Sequence, residues 1–255
     1  MSNAGKTIIY QSYRTERVPS WISRCLASVQ DWVKAKGFDY RFYDDVMFKY
    51  APDWYRDKVQ DQVLLVSDLA RLVIGKELLG EGYERVIWMD ADLLIFDPTQ
   101  FEIVVKEQYA FCYETWVDVN EQQTLQANWR VNNSVSVFCK GNSMLDFYIQ
   151  ACQDIVQKKT NYGPWYIGTV FLTMLRRIYP FELLKNVATI SPFLMRAILQ
   201  DKKPARELFI KVQDHPVYAG NLCGSYAIDG YKGLKFEERD YEKLVEVLLN
   251  GEGGI

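Results

Sequence analysis

The chain has 255 residues, 49% of them hydrophobic, enough to bury a sizeable core as one α/β domain of about residues 5–250. Its formal charge of −3 comes with no basic run, which argues against nucleic acid as a partner. The 5 cysteines (Cys25, Cys112, Cys139, Cys152 and Cys223) are widely spaced with no C-x-x-C, so a zinc site or disulfide scaffold is not expected and they read as reduced thiols. No apolar signal region opens the sequence, and Ser2-Asn3-Ala4 is either native or a cloning remnant. No apolar stretch reaches the roughly 18 residues of a membrane span. The expectation is a cytoplasmic protein that does not cross a membrane, with peripheral membrane contact left open.

In chain order, Thr7–Tyr13 reads as a first strand, and Val18-Pro19-Ser20-Trp21 opens a helix to about Lys36, with Ser20 or a neighbour as cap and Gly37 as stop. Tyr40–Tyr43 is a short strand ending at Asp44-Asp45. A long apolar helix follows, from about Gln60 to Leu79, closed by Gly80-Glu81-Gly82. The strand Arg85–Met89 comes next, then strands at Tyr109–Tyr113 and Ser134–Cys139, and a helix at Met144–Val156. Tyr241–Leu249 is a closing helix. Strands alternating with helices predict βαβ units and a mostly parallel, Rossmann-like sheet flanked by helices.

The chemistry concentrates where Val86-Ile87-Trp88-Met89 runs into Asp90-Ala91-Asp92 before Leu93-Leu94-Ile95-Phe96 resumes the apolar run. An unpaired buried carboxylate costs several kcal/mol, so two of them interrupting buried structure need a reason. Successive strand side chains alternate faces, which places Asp90 and Asp92 on the same side. A polar turn is the plain alternative. Two hard oxygen donors at a strand exit also make half of a site for Mg²⁺ or Mn²⁺, completed by water and substrate phosphates. In such sheets ligands bind beyond the carboxyl ends of the strands.

Three other stretches bear on the acid pair. Asp68 and Arg71 lie three apart on a very apolar helix, either as an intrahelical ion pair or as a charged face that sugar hydroxyls would satisfy. Asn132-Asn133 precede a strand, as turn formers or as hydrogen-bonding groups for a sugar ring. The loop from Asp214-His215-Pro216 to Gly220-Asn221-Leu222-Cys223-Gly224-Ser225-Tyr226 contains the chain's 1 histidine, as a surface residue or as a ligand. Segment 114–130, with Glu114, Trp116, Asp118 and Trp129, reads as a surface loop or as the border of an acceptor site.

These residues carry a family resemblance. Ser67-Asp68-x-x-Arg71, a glycine break and a hydrophobic strand ending Asp90-Ala91-Asp92 resemble the sugar-binding region of DXD-containing retaining glycosyltransferases, which have the GT-A fold. Ile8-Ile9-Tyr10-Gln11-Ser12-Tyr13-Arg14-Thr15, Val18-Pro19-x-Trp21 and Tyr40–Asp45 are similar to the family's first two strands and first helix. Asn132-Asn133-Ser134, Lys140-Gly141-Asn142, Gly163-Pro164 and Gly224-Ser225-Tyr226 resemble later landmarks. Departures are the long lead Gly82–Met89, which is closer to glycogenin-like enzymes, Tyr226 in place of a Trp, and Asn221 where a histidine often stands, with His215 a few positions earlier.

The resemblance implies a metal-dependent hexosyltransferase that moves a sugar from a UDP- or GDP-sugar to a saccharide, lipid-linked or protein acceptor with retention of anomeric configuration. By that resemblance Asp92 would bind Mn²⁺ or Mg²⁺, with Asp90 contributing directly, through water or through the ribose, and the third ligand would be His215, Asn221 or Ser225. Ser67, Asp68 and Arg71 would hold the donor sugar, Gln11 or Tyr13 would lie near base and ribose, and Ser225 and Tyr226 would complete the substrate site. One of Asn132 and Asn133 would stabilise the oxocarbenium-like cation. Two rivals stand: a non-catalytic sugar-binding scaffold on the same fold, and a haloacid-dehalogenase-type phosphohydrolase with Asp90 as nucleophile and Asp92 as acid/base.

Overall fold

A computed structural model describes residues 6–60, 62–159, 161 and 163–255, the side chains of residues 228 and 229 excepted. Ser2-Asn3-Ala4 and the expected domain start at Gly5 lie outside the described residues. Strand β1 (Thr7–Ser12) leads to helix α1 (Ser20–Lys36) and strand β2 (Asp39–Tyr43). A 3-10 turn (Asp45–Tyr50) and the short α2 (Asp53–Val59) precede the central helix α3 (Val63–Gly80). Next come β3 (Arg85–Met89), β4 (Leu93–Ile95), β5 (Tyr109–Val119), β6 (Leu125–Cys139) and α4 (Met144–Lys158). A π-helical turn (Tyr166–Val170) runs into α5 (Phe171–Ile178), followed by β7 (Glu182–Leu184), β8 (Val187–Thr189), α6 (Pro192–Leu199) and α7 (Lys203–Gln213). Strand β9 (Ala219–Asn221), α8 (Tyr226–Asp229) and α9 (Glu238–Leu249) close the chain.

The main sheet has the order β2-β1-β3-β6-β5-β7. Pairings β1–β2, β1–β3 and β5–β7 are parallel, and β6 runs antiparallel to both β3 and β5. The result is the expected α/β architecture with a mostly parallel sheet. Strand alternation divides β3 between two cores: Val86 and Trp88 pack with Leu65, Leu69 and Leu72 of α3, while Ile87 and Met89 pack with Val29 and Val33 of α1. A sheet covered on both faces explains why this strand reads as a continuous apolar run.

Helix α1 stops as expected. Gly37 takes the left-handed conformation (φ 67°), its N–H donates to the Lys34 carbonyl at 3.2 Å, and the Phe38 N–H donates to Val33 at 3.1 Å. At its start the cap position is Pro19 with no side-chain capping bond, and the Ser20 hydroxyl is spent instead on Glu242 of α9. The long helix begins at Val63 rather than Gln60, because Gln60 caps α2 with a positive φ of 50°.

A second sheet, β4-β9-β8, positions the site. It pairs Leu93 with Asn221, Leu94 with Gly220 and Ile95 with Ala219, which brings the Asn221–Tyr226 segment back beside the residues following β3. No helix among the described residues is long and apolar enough to cross a membrane.

Candidate active site

The carboxyl ends of β1 and β3 open into a cavity of about 1580 Å³. Its lining includes Tyr13, Ser67, Asp68, Arg71, Asp90, Asp92, Asn132, Asn133, Asn221, Ser225 and Tyr226. Residues drawn from stretches more than 150 positions apart thus meet at one place.

Asp90 continues β3 by donating its N–H to the Ser134 carbonyl of β6 at 2.8 Å. Its Oδ1 accepts from Trp88 Nε1 at 2.6 Å and Arg71 Nη1 at 3.0 Å, and its Oδ2 from Asn221 Nδ2 at 3.2 Å. With both oxygens held by donors, Asp90 is poorly disposed to act as a nucleophile. Asp92 Oδ1 accepts from the same Asn221 amide nitrogen at 2.9 Å, and Oδ2 from the Gly224 backbone N–H at 2.7 Å. That last contact requires glycine: a Cβ on Gly224 would stand 2.8 Å from Trp21 and 3.2 Å from Asp92 Oδ2.

Behind the acid pair, Arg71 is buried and forks between two carboxylates. It pairs with Asp68 one helical turn earlier and with Asp90, and also donates to the Asn133 carbonyl at 3.2 Å. Its guanidinium lies 5.4 Å from the Trp88 ring centre. Asn133 Nδ2 closes the cluster by donating to Asp68 Oδ1 at 2.9 Å. Among the described residues Asp92 forms no ion pair, so its donors are neutral.

Electrostatics follow from this arrangement. Burial pushes the Asp90 carboxyl up to about 7, opposed by Arg71 and reinforced by Asp92. Burial also raises Asp92, opposed by the Gly224 N–H and the Asn221 amide. Between about pH 4 and pH 7 the folded chain therefore holds a proton on Asp90 that the unfolded chain releases, so stability declines as pH rises through that window. In EDTA, the Tm is expected to fall by a few degrees from pH 5 to pH 8, and Asp90→Asn to flatten the decline. A Tm that rises across the same window in wild type contradicts this reading.

Two carboxylates converging on one amide, with no charged partner for Asp92, present the hard-oxygen donor set that suits Mg²⁺ or Mn²⁺. Among the described residues no cluster of three or more His, Cys, Asp or Glu side chains is placed to hold an ion. The protein side of such a site is therefore the acid pair, and water or substrate phosphates would complete it. Of the three expected third ligands, Ser225 lines the cavity, and Asn221 turns its Nδ2 donor to both acids while its Oδ1 accepts from the Cys223 N–H at 2.9 Å. His215 is exposed on the turn after α7 and does not line the cavity.

Gln11 also falls elsewhere than expected. It is fully buried, donates to the Asp90 carbonyl at 3.1 Å and accepts from the Tyr40 hydroxyl at 3.1 Å, so it braces the acid-bearing turn from behind. Tyr13 does line the cavity, half-buried, with its ring 5.4 Å from the Arg14 guanidinium. Tyr226 stacks on Trp165 (ring centres 5.8 Å apart, 24° between planes) and lies 5.8 Å from Trp116, which makes an aromatic wall.

Segment 114–130 is the arm of the β5–β6 hairpin rather than a loop. The pairing jumps from Phe111–Ser136 to Cys112–Asn132, so Asn133, Ser134 and Val135 bulge out of register, and this aims the two asparagines at different partners. Asn133 reaches Asp68, whereas Asn132 donates to Glu114 Oε2 at 2.6 Å. Glu114 is buried in the cavity wall, burial raises its pKa, and its Oε1 has no hydrogen-bond partner among the described residues. The nearest cation, Arg130 Nε, is 3.9 Å from Oε1. Asp118 is not in the cavity and is paired with Lys232 and Tyr231. The sequence offered a weak signal for Glu114: an acid flanked by Tyr113, Thr115 and Trp116.

Sequence comparison finds no family model and no curated protein that matches the chain. Among solved structures the chain is similar to a glycosyltransferase involved in the glycosylation of the major capsid of PBCV-1, at 11% identity and a TM-score of 0.52, covering 94% of this chain and 99% of that one. At that identity the likeness speaks for the fold: this chain has a glycosyltransferase-like α/β fold along nearly its whole length.

Proposed function

We propose that the chain is a metal-dependent glycosyltransferase that moves a sugar from a UDP- or GDP-sugar to a saccharide, lipid-linked or protein acceptor with retention of anomeric configuration. The observation that carries this reading is the meeting of Asp90 and Asp92 on Asn221 at the strand ends, beside the Asp68–Arg71–Asn133 cluster, within one cavity large enough for a nucleotide sugar. The fold likeness supports it.

In this reading Asp92 and Asp90 would hold Mn²⁺ or Mg²⁺, and Asn221, whose Nδ2 donates to both acids, would position them. When bound, the ion supplies positive charge to the diphosphate that departs as the sugar–phosphate bond breaks. Asp68, fixed by Arg71 and Asn133, accepts from sugar hydroxyls together with Ser67. Tyr13 offers a ring face to the base, and Ser225 and Tyr226 border the diphosphate and sugar. Asn132 and Asn133 supply dipoles to the developing cation, and Asn132 holds Glu114 so that its Oε1, which accepts no hydrogen bond from the described residues, meets a sugar hydroxyl. A buried acceptor without a donor costs about 1–3 kcal/mol, which a hydroxyl at that place returns. Retention follows if the acceptor hydroxyl approaches from the face the diphosphate leaves.

The test is thermal stabilisation by UDP-, GDP- and CMP-sugars in Mn²⁺ or EDTA, since a ligand bound only to the folded state raises its stability by mass action. The expected result is a Mn²⁺-dependent shift with one nucleotide class. No shift with any nucleotide from well-folded protein would overturn the transferase reading. A shift with free sugars that ignores metal and nucleotide would favour the non-catalytic sugar-binding scaffold.

A further inference from the structure

Along α5 the rim of the cavity is apolar and basic, whereas Glu237 and Glu238 are exposed elsewhere on its lining. Helix α5 buries Leu172 and packs Phe171 and Leu175 on the core, yet its opposite side is also apolar. Val170, Met174 and Ile178, spaced four apart, form one stripe that is 45%, 57% and 83% exposed. Trp129 and Trp165 are exposed next to it, and Trp129, Trp165, Val170, Met174 and Arg177 all line the same cavity. A soluble helix normally turns polar residues outward, so apolar residues on both faces require a second partner.

Charge identifies that partner. From Ile155 to Phe181 the sequence carries Lys158, Lys159, Arg176 and Arg177 and no Asp or Glu, within a chain whose net charge is −3. Lys158 is paired with Asp154 just before it, and among the described residues Lys159, Arg176 and Arg177 form no ion pair. Exposed Trp, an apolar helical stripe and flanking unpaired cations are the features of a surface that lies in the headgroup region of an anionic bilayer. We infer that the α5 face docks on an anionic lipid surface, so that the cavity opens toward the membrane and receives a lipid-linked acceptor. The acceptor class rests on the transferase reading; the docking does not.

The experiment is co-sedimentation of the full chain with phosphatidylcholine vesicles, with and without phosphatidylglycerol. Ile178→Glu serves as the variant, because Ile178 is highly exposed and lies outside the cavity lining. The wild type is expected to pellet with the phosphatidylglycerol vesicles, to release in high salt, and to lose about tenfold in partitioning in Ile178→Glu, the change expected on withdrawing one aliphatic side chain from the interface. Ile178→Glu should keep the nucleotide-dependent thermal shift of the wild type. Failure to pellet with phosphatidylglycerol vesicles, or equal pelleting by Ile178→Glu, overturns the inference. Self-association abolished by Ile178→Glu without vesicle binding would assign the face to a second copy and overturn it as well. A thermal shift without vesicle binding leaves the transferase reading standing alone, and vesicle binding without any thermal shift does the reverse.

Discussion

At pH 8, Arg71→Ala is expected to lower the stability of the fold by about 3–5 kcal/mol, read as a shift in urea midpoint at constant slope. Among the described residues the guanidinium is the one buried cation paired with Asp68 and Asp90, and it also donates to the Asn133 carbonyl. Its removal strands two carboxylates in low-dielectric surroundings, and that uncompensated charge costs more than the pair contributes when intact. The loss should shrink at low pH, where the stranded acids are protonated. Arg71→Lys should recover only part of it, because an ammonium cannot fork between Asp68 and Asp90 as the planar guanidinium does. A loss below about 1 kcal/mol in Arg71→Ala would mean that the ion pairs merely break even with solvent, as exposed ones do.

Asp92→Asn is expected to act on turnover rather than on stability. In the proposed reading donor turnover should fall by about 10²–10³-fold, because Asp92 would hold the ion that supplies positive charge to the departing diphosphate. Stability at pH 8 should change little: burial already disfavours the Asp92 carboxylate and asparagine is neutral, which offsets the loss of the acceptor that meets the Asn221 amide. The amide oxygen can still accept from Gly224, so the turn that follows β3 is kept. Activity lost with folding retained is a signature that a structural role for Asp92 does not produce. Turnover within threefold of wild type would remove it from the catalytic site.

Much of this site was legible because burial and charge conflict in the sequence. Asp90 and Asp92 interrupt an apolar run, and Asp68 and Arg71 sit on an apolar helix; each conflict marked a residue that lines the cavity. Gln11 carries no such conflict, since an amide beside Tyr13 reads equally as a base contact or a buried brace, and the fold uses it as the brace. The role of Asn221 depends on pairing β4 with β9, two strands of 3 residues each, too short to show a period. Without that pairing, His215 and Asn221 look equivalent from the sequence. Glu114 was readable only as part of a segment that is either a surface loop or the border of an acceptor site, because the bulge at Asn133–Val135 that turns Asn132 toward it leaves no signature in residue type. The stripe on α5 escaped notice because Val170 belongs to a π-helical turn broken at Gly168, which disrupts the helical spacing across Gly163–Ile178.

Donor binding at the acid pair is what the transferase reading requires above all. Its most direct test is calorimetric titration of the nucleotide sugar that gives the largest thermal shift, into wild type and Asp92→Asn, in Mn²⁺ and in EDTA. The account predicts saturable binding by wild type in Mn²⁺, weakened at least tenfold by EDTA and by Asp92→Asn alike. Equal affinity in all four titrations would contradict it and place the nucleotide away from Asp90 and Asp92.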